Sequence, residues 1–353
     1  MSLRDSGGNR LAATPNRQWL LAGAPDGTVN DANFRWATST VPVPTDGQML
    51  LRNLWLSFDP TQYLLMRSVG DPDLPVGSVM RGLAVSQVVD SRLAGFRAGD
   101  IVHGFSGWED YSLSDGKGFL DTAQVPPSVP PNLALGTLGV TGMAAYFGVV
   151  EVARPRAGET FVVSGAAGGV GSIAGQIAKI HGLRVIGITG GKAKVDWLLG
   201  EGRFDAAIDH RIEDVGARLT ALCPDGIDIF FDNVGGPVLD EALGRLRTEG
   251  RVIVCGGTSR YVAKDLPPGP ANYLNLCMVR GRMEGILARD YAARFPEAAK
   301  AMVAWIHSGQ LRSKEDVAIG LENAPGALAR LFRGENIGKQ LLKIADPRTT
   351  PVG

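Results

Sequence analysis

A glycine-rich turn between a short apolar run and a helix-length segment is the feature that most constrains this chain. The apolar residues 161–163 and Ser164 are followed by Gly165, Gly168 and Gly171, and then by an apolar-periodic stretch without proline. Such glycines let the backbone approach a pyrophosphate and let a helix pack closely on its strand, while the helix N-terminus offers N–H donors. Ala166 breaks the strict Gly-x-Gly-x-x-Gly pattern, so a tight strand–helix turn without a ligand is the alternative interpretation.

Apolar runs alternate with helix-length segments after this turn. The runs are RVIGITG at 184–190, AAID at 206–209, GIDIFFDNVGG at 226–236 and GRVIVCGG at 250–257. This alternation of apolar runs and helix-length segments predicts a doubly wound parallel sheet. We assign this Rossmann domain to residues 136–310.

The N-terminal third has a different rhythm, in which β-compatible runs are separated by turn residues. The runs are QMLLRNLWLSFDP, GSVMRGLAVSQVVDS and AGDIVHGFSGWEDYSL. They predict a β-rich domain over residues 17–135, preceded by a disordered segment 1–16. The fold class is therefore α/β, with a β-rich domain beside a Rossmann domain.

The end of the second Rossmann strand indicates the dinucleotide. An NAD site usually has Asp or Glu there to hold the ribose 2′-hydroxyl. This chain instead has Gly190 and Gly191, followed by Lys192 and Lys194. The missing carboxylate and the nearby ammonium groups favour a 2′-phosphate, and we expect NADPH with Lys194 as its contact. Lys192 is either a second contact or a solvated surface charge.

Bulk composition excludes several other functions. Of 353 residues, 36 are basic and 36 acidic, which gives no reason to expect nucleic acid or a membrane as partner. The charge-free stretch 122–150 is rich in Gly and Pro and is better explained by a buried helix at a domain junction than by a membrane span. Three cysteines without CxxC spacing suit a reducing, cytoplasmic compartment.

Catalytic zinc and nucleophilic chemistry have no support in the sequence. Before residue 150 the chain has no cysteine and one histidine, His103, which cannot make a tetrahedral site with N and S ligands. Cys255, after the fifth strand, is more typical of a small buried hydrophobe than of a nucleophile. No Gly-x-Ser-x-Gly elbow is found either.

With these motifs in view, the chain resembles the zinc-free medium-chain dehydrogenases/reductases, and more narrowly the leukotriene B4 dehydrogenase / prostaglandin reductase group of NADPH-dependent alkenal and enone reductases. The matching segments run in order over nearly the whole chain: WLSFDP, AGDIVHGFSGWEDY, GAAGGVGSIAGQIAK, GGKAK, FFDNVGG, DLPPGP, RMEGILARDY, GLENAPGAL and GENIGK. The resemblance implies a GroES-like substrate domain split across both chain ends, with residues 311–353 returning to it, and a homodimer.

The resemblance also implies a reaction and its residues. Hydride from NADPH would reach the β-carbon of an α,β-unsaturated aldehyde or ketone, followed by protonation at the α-carbon. Lys194 matches the lysine at the 2′-phosphate, Asn233 and Asn336 match cofactor-contacting asparagines, and Tyr261 matches a tyrosine at the ribose and the substrate oxygen. The candidate cofactor residues are Gly165, Ala167, Gly168, Gly169, Val170, Gly171, Gly190, Lys194, His210, Asn233, Cys255, Gly256, Tyr261 and Asn336.

Three departures from the family pattern bear on the substrate. Thr61 stands where relatives have a pocket tyrosine, which Tyr63 replaces only if the backbone shifts; with Ser106 these form the candidate substrate pocket. Ala144 replaces a threonine near the nicotinamide, and His210 replaces a tyrosine at the 2′-phosphate.

A placed donor at the substrate carbonyl oxygen is what enone reduction needs most, because negative charge develops there. Tyr261 is our candidate catalytic residue, acting with the ribose 2′-hydroxyl, and the alternative is a surface tyrosine stacked on LPPGP. Two other functions stay open, namely an NADPH:quinone oxidoreductase and an NADPH-binding structural or sensory protein.

Overall fold

The computed structural model describes residues 14–71, 74–118, 120–265 and 267–348. It divides into two compact units, which we call the substrate unit and the nucleotide unit. The substrate unit comprises the described residues through Leu135, Val317–Glu335 and residues 340–348, and the nucleotide unit comprises the described residues of Gly136–Asp316 and Asn336–Lys339.

The unit boundaries differ from the predicted ones at the C-terminal side. Residues 311–316 and Asn336–Lys339 were expected in the returning segment but lie in the nucleotide unit. The reason is hydrogen bonding to that unit: the Arg312 N–H donates to Gln176 Oε1 at 2.8 Å, and the Gly338 N–H donates to the Ala167 carbonyl at 2.7 Å.

Fifteen strands occur in the described residues. They are β1 (Pro15–Leu21), β2 (Phe34–Thr40), β3 (Met49–Ser57), β4 (Arg81–Ser91), β5 (Ile101–Gly107), β6 (Tyr111–Ser114), β7 (Ala123–Gln124), β8 (Thr160–Ser164), β9 (Arg184–Thr189), β10 (Ala206–Asp209), β11 (Ile227–Asp232), β12 (Leu246–Val254), β13 (Arg282–Gly285), β14 (Glu315–Ile319) and β15 (Lys339–Lys343).

The α-helices of the same residues are α1 (Thr61–Arg67), α2 (Pro131–Leu135), α3 (Val140–Phe147), α4 (Gly169–Ile180), α5 (Lys192–Leu199), α6 (Val215–Leu222), α7 (Gly236–Leu243), α8 (Thr258–Tyr261), α9 (Asn275–Val279), α10 (Phe295–His307) and α11 (Ala324–Arg333). A π-helix spans Gly148–Ala153, and 3₁₀ turns span Asp31–Asn33, Ala288–Arg294 and Leu321–Asn323.

The nucleotide unit is built on a six-stranded parallel sheet within its described residues, with strand order β10-β9-β8-β11-β12-β13. The order reverses between β8 and β11, which is the point where ligands bind in doubly wound sheets. Two apolar clusters fill the two faces: Phe161, Val163 and Phe231 belong to one, and Val162 and Phe230 to the other. Strands buried on both faces read as continuous apolar runs, and the predicted Rossmann fold is therefore confirmed.

The substrate unit contains a sheet with the order β14-β15-β3-β4-β5-β7, in which the neighbouring strands from β15 to β7 are antiparallel and β6 pairs with β3, and a separate β1–β2 hairpin. The predicted β-rich fold is confirmed. The prediction of disorder through residue 16 is wrong at its end, since β1 begins at Pro15, and the buried Asn16 side chain exchanges hydrogen bonds with the backbone of Tyr111. Residues 1–13 lie outside the described residues.

The charge-free stretch forms two short buried helices rather than one. The helix α2 packs on β3 and β4 in the substrate unit, and α3 packs on α4 in the nucleotide unit. In the described part of the chain, no helix is long and apolar enough to cross a membrane.

Candidate active site

The glycine turn after β8 has the geometry that its sequence predicts. Gly165 has φ of +59°, a conformation that favours glycine, and Gly168 caps α4. A Cβ at Gly171 would lie 2.3 Å from the Gly165 carbonyl oxygen, which a side chain cannot tolerate. Gly171 therefore allows the close packing of helix on strand, and the N-terminus of the 12-residue helix α4 provides the N–H groups for a phosphate.

A segment from the far end of the chain covers this turn. Gly338 pairs with Gly168 in a parallel bridge, and Asn336 donates from Nδ2 to the Gly338 carbonyl at 2.8 Å. A Cβ at Gly169 would meet the side chains of Thr141 at 3.0 Å and Lys339 at 3.2 Å. The candidate Asn336 is thus placed beside the turn, and its amide oxygen is left for a further donor.

Side chains at the ends of β8 and β11 fix the other side of the turn. The Asp232 Oδ1 atom accepts hydrogen bonds from Ser164 Oγ at 2.7 Å and from the N–H groups of Val234 and Gly235 at 3.0 Å each. Asn233 donates from Nδ2 to the Ser164 carbonyl at 2.8 Å. Because this amide group is held by β8, the candidate Asn233 is locked in position next to Gly165.

Burial raises the pKa of Asp232 above its ordinary value, although the hydrogen bonds to it lower the pKa. A carboxyl group whose pKa is raised on folding stabilises the folded state in acid and loses that contribution as the pH rises through the folded pKa. We therefore expect Asp232→Asn, which keeps an acceptor oxygen, to become more stable relative to the parent as the pH rises from about 4 towards neutrality. Urea unfolding at several pH values measures this difference.

Asp225→Asn provides a matched control, because Asp225 is an exposed carboxylate of the same unit. A stability difference between Asp232→Asn and the parent that is constant over this pH range would contradict the expectation.

A cluster of basic groups lies at the end of β9, where the sequence predicts the 2′-phosphate. A Cβ at Gly190 would meet His210 Nε2 at 2.8 Å and Arg211 Nε at 2.9 Å, so both side chains lie over this glycine. Asp209 is also close, but its Oδ1 accepts from the N–H groups of Gly191 and Arg211. These bonds hold the pKa of Asp209 below its ordinary value, and the carboxylate serves to tie the turn to β10.

Lys194 and Lys192 differ in how far they are exposed and in whether they form a salt bridge. The exposed Lys192 forms a salt bridge with Asp196 at 2.7 Å. Lys194 is half-buried, and among the described residues its ammonium group has no hydrogen bond or salt bridge. Burial and the nearby Arg211 lower the pKa of Lys194, while Asp316 raises it. A desolvated cation beside a second cation is a site that an anion would stabilise.

Arg211 was missed in the sequence. Its position could have indicated it, because Arg211 directly follows His210 after the end of β10, and β10 is the neighbour of β9 in the sheet. Parallel neighbours bring their carboxyl ends to the same edge of a sheet, so a basic residue there also belongs to the candidate phosphate site.

Tyr261 ends the short helix α8, and its hydroxyl lies 3.5 Å from the position of a Cβ at Gly256. The hydroxyl has no hydrogen bond to another described residue. The nearby proline loop is held instead by Arg260, which donates to the Pro268 carbonyl at 3.1 Å. Tyr261 therefore presents a half-buried donor beside the β12 end of the sheet, as the catalytic assignment requires.

Cys255 lies next to Gly256 and packs against the apolar cluster of the nucleotide unit. Burial, together with the charge of Asp232, raises the pKa of its thiol to about 12. The thiol is therefore protonated at neutral pH and is unsuited to nucleophilic attack, because the thiolate is the reactive form.

The three candidate pocket residues do not form a pocket together. Thr61 is exposed at the start of α1, whereas Tyr63 is 2% exposed, with its hydroxyl accepting from the Gly27 N–H and its ring against Phe332. The assignment of Tyr63 to the pocket needs correction, because residues two apart on a helix point about 200° apart. The buried hydroxyl of Ser106 donates to Asn53 Oδ1, so it is already paired within the substrate unit.

The structure also describes the surroundings of Ala144 and His103, two residues that the sequence analysis considered. Ala144 is half-buried against the apolar cluster of the nucleotide unit. Burial lowers the pKa of His103, which lies in β5. In the described ranges, no three His, Cys, Asp or Glu side chains are arranged to hold a metal ion.

Two family models match the chain. The model described as "N-terminal domain of oxidoreductase" matches residues 17–122, and the model described as "Zinc-binding dehydrogenase" matches residues 169–305.

Individual proteins match over nearly their full length. The NADPH-dependent curcumin reductase of Escherichia coli is 40% identical over 94% of this chain and 97% of its own. The NADP(+)-dependent 2-alkenal reductase of Nicotiana tabacum is 39% identical over 90% of this chain and 93% of its own. The crystal structure of CurA from Vibrio vulnificus in complex with NADPH is 39% identical and superposes with a TM-score of 0.86, covering 94% of this chain and all of CurA.

Proposed function

The chain belongs to the zinc-free medium-chain dehydrogenases/reductases that reduce enones, and we propose from this that it catalyses NADPH-dependent reduction of the carbon–carbon double bond of α,β-unsaturated aldehydes and ketones. The cofactor is NADPH. Before residue 150 the chain has no cysteine and a single histidine, His103, which is too few ligands for a catalytic zinc of the N- and S-ligated kind.

One observation carries the choice of cofactor. The half-buried Lys194 lies near Arg211, and within the described chain its ammonium group has no salt bridge to a carboxylate, although Asp316 is near enough to raise its pKa. A 2′-phosphate would neutralise both cations and accept charge-assisted hydrogen bonds from them. The end of β9 has Gly190 and Gly191 where an NADH site would have an Asp or Glu for the 2′-hydroxyl, and the Oδ1 atom of Asp209 at the end of β10 accepts hydrogen bonds from backbone N–H groups.

The backbone of the glycine turn and the N-terminus of α4 are placed to bind the pyrophosphate. Asn233 and Asn336 would contact the cofactor beside this turn, and the NH₂ group of each side chain is already fixed by a hydrogen bond to a backbone carbonyl. When bound, NADPH supplies the hydride that reaches the β-carbon of the substrate.

Tyr261 would stabilise the charge that develops on the substrate carbonyl oxygen. Its hydroxyl is a donor that no described residue accepts from, so it can turn towards a ligand without breaking an existing bond. Stabilisation of charge at the point where it develops is commonly the largest contribution to catalysis. Water is then sufficient to protonate the α-carbon.

The proposal is tested by the loss of absorbance at 340 nm with purified protein, NADPH or NADH, short and long enones, and one quinone. We expect NADPH-selective oxidation with enones, together with a saturated ketone or aldehyde as the product. Oxidation with the quinone but not with enones would select the quinone oxidoreductase alternative. Tight NADPH binding without turnover on any substrate would select a sensory or structural protein.

Two finer assignments accompany this function. We propose a homodimer and a cytoplasmic location, supported by the family and, for the location, by the absence of CxxC spacing among the three cysteines.

A further inference from the structure

An exposed histidine lies at the end of the nucleotide sheet where the 2′-phosphate is expected. His210 directly follows β10, and its N–H donates to the carbonyl of Thr189, the last residue of β9, at 2.9 Å. The register of these parallel strands pairs Asp209 with Thr189, so His210 comes beside Gly190. The imidazole forms no hydrogen bond or salt bridge with any other described residue, and it is therefore available to a ligand.

Gly190 leaves room for the edge of this ring. A Cβ on Gly190 would lie 2.8 Å from Nε2 and 3.3 Å from Cε1 of His210. In Rossmann folds the ribose 2′ group lies at the end of the second strand, which is the place that Gly190 occupies here. Nε2 is thus the imidazole atom that is placed to contact a 2′-phosphate.

The protonation state of the imidazole decides what it can offer to a phosphate. A neutral imidazole has one N–H donor, whereas the protonated ring donates from both nitrogens and carries a positive charge. A hydrogen bond between charged groups is roughly twice as strong as one between neutral groups. Histidine side chains change charge between about pH 5 and 8. The contact of His210 with a phosphate is therefore strongest at the acid end of this range.

The charged groups around His210 make its proton depend on the ligand. Arg211 and Lys194 are cations, which oppose a further positive charge on the ring. Asp209 favours that charge, although its Oδ1 atom already accepts from two backbone N–H groups, and Asp316 is near enough to raise the pKa of Lys194. A bound 2′-phosphate adds negative charge to this group and shifts the balance towards the protonated ring.

Two further ion pairs at this edge of the sheet are closed within themselves. They are Lys192–Asp196 on α5 and Arg218–Glu213 at α6, each at 2.7 Å. The opposite charges of each pair largely cancel at a distance, so these pairs do not decide the charge of His210.

We propose that His210 is a specificity-determining residue that takes up a proton from the solvent when NADPH binds, so that the preference for NADPH over NADH strengthens as the pH falls. The proton adds to the imidazole and gives the 2′-phosphate a third cation, beside Lys194 and Arg211. NADH carries a hydroxyl in place of this phosphate, and its binding takes up no proton at His210. The inference rests on NADPH as the cofactor of the proposed function.

Proton linkage fixes the direction of the pH dependence. The extra stabilisation of the NADPH complex is present where the imidazole is protonated, and it is lost as the pH rises and the proton leaves. The 2′-phosphate also titrates, near pH 6, and its own protonation weakens the complex. A variant without the imidazole keeps the second effect and lacks the first, so the comparison of the two proteins isolates His210.

Calorimetric titration of the full chain at neutral pH, in two buffers of different ionisation enthalpy, measures the protons taken up for each cofactor bound. With NADPH, we expect the parent to take up more protons than His210→Gln. With NADH, both proteins should take up the same number. Between about pH 8 and pH 6, the ratio of the NADPH dissociation constants of His210→Gln and the parent is expected to rise roughly tenfold.

His210→Lys replaces the titrating group by a permanent cation. It should bind NADPH tightly at both ends of this pH range, without the extra proton uptake of the parent. His307→Gln is the matched control, because His307 is an exposed histidine of the same unit at the end of α10, and it should behave as the parent.

Equal proton uptake by the parent and His210→Gln with NADPH would overturn the proposal, and so would a ratio of dissociation constants that stays constant with pH. These titrations contain no enone. Enone reduction, measured separately on the same samples, therefore tests the proposed function independently of the role of His210.

Discussion

Replacing Tyr261 by phenylalanine is expected to lower kcat for enone reduction by about 100- to 1,000-fold, which corresponds to about 2.7–4 kcal/mol in the barrier. The variant removes one hydroxyl, and in the described structure that hydroxyl has no hydrogen bond whose loss would disturb the fold. The effect should therefore appear in kcat, with the dissociation constant for NADPH close to that of the parent. Steady-state kinetics with saturating NADPH and direct titration of NADPH binding measure the two quantities.

Tyr291→Phe is the matched control. The Tyr291 ring stacks on Phe147 at 4.5 Å in the nucleotide unit, so this variant also removes a single phenolic hydroxyl while keeping the ring. We expect it to retain the kcat of the parent. A loss in Tyr261→Phe of less than about tenfold would remove Tyr261 from the role of oxygen donor.

Replacing Lys194 by methionine is expected to reduce kcat/KM for NADPH by roughly 10- to 150-fold while leaving the value for NADH unchanged. A hydrogen bond to a charged group contributes about 1.5–3 kcal/mol, and every 1.4 kcal/mol is about tenfold in affinity. Methionine keeps the length of the apolar stem, so what is lost is the charge facing the 2′-phosphate. Initial rates with both cofactors at a fixed enone concentration measure the ratio.

Lys192→Met provides the comparison two residues away. Its ammonium group is exposed and paired with Asp196 at i,i+4, an arrangement that contributes about 0.3–0.5 kcal/mol. The cofactor preference of this variant should match that of the parent. Equal losses with NADPH and NADH in Lys194→Met would show that Lys194 supports the fold rather than the phosphate.

Buried elements were predictable from the sequence, and exposed ones were not. The strands β8, β9 and β11 and the last residues of β12 carry apolar runs, because both faces of the sheet are covered there. The edge strand β13 has only Met283 between two charged residues, so no apolar run marks it. The hairpin of β1 and β2 was missed for a similar reason, since much of its surface is polar and exposed.

The part of the site that is made by backbone was predictable, because the glycine spacing indicates where the backbone lies close to another part of the chain or to a ligand. Gly171 is needed at its place in this spacing because a Cβ there would clash with the Gly165 carbonyl. Side chains that act from a neighbouring strand were harder to find. Arg211 reaches Gly190 because β10 is next to β9, and that adjacency belongs to the sheet order rather than to local sequence.

The directions of the candidate pocket side chains could not be predicted, because position along the chain does not give the direction of a side chain. Tyr63 is two residues from Thr61, but α1 turns it into the core of the substrate unit. Ser106 lies in a segment that matches the family, yet its hydroxyl belongs to a buried hydrogen-bond network with Asn53 and Ser86. Neither orientation is encoded in a motif.

The covering of the glycine turn by Asn336–Lys339 bears on how the protein is made. The turn is translated long before these residues, and the parallel bridge between Gly168 and Gly338 joins positions 170 residues apart in the chain. A growing chain on the ribosome would thus contain all six strands of the Rossmann sheet before residues 336–339 could cover the glycine turn. We expect the nascent chain to acquire NADPH only after residues 336–339 have been synthesised and have docked on the turn.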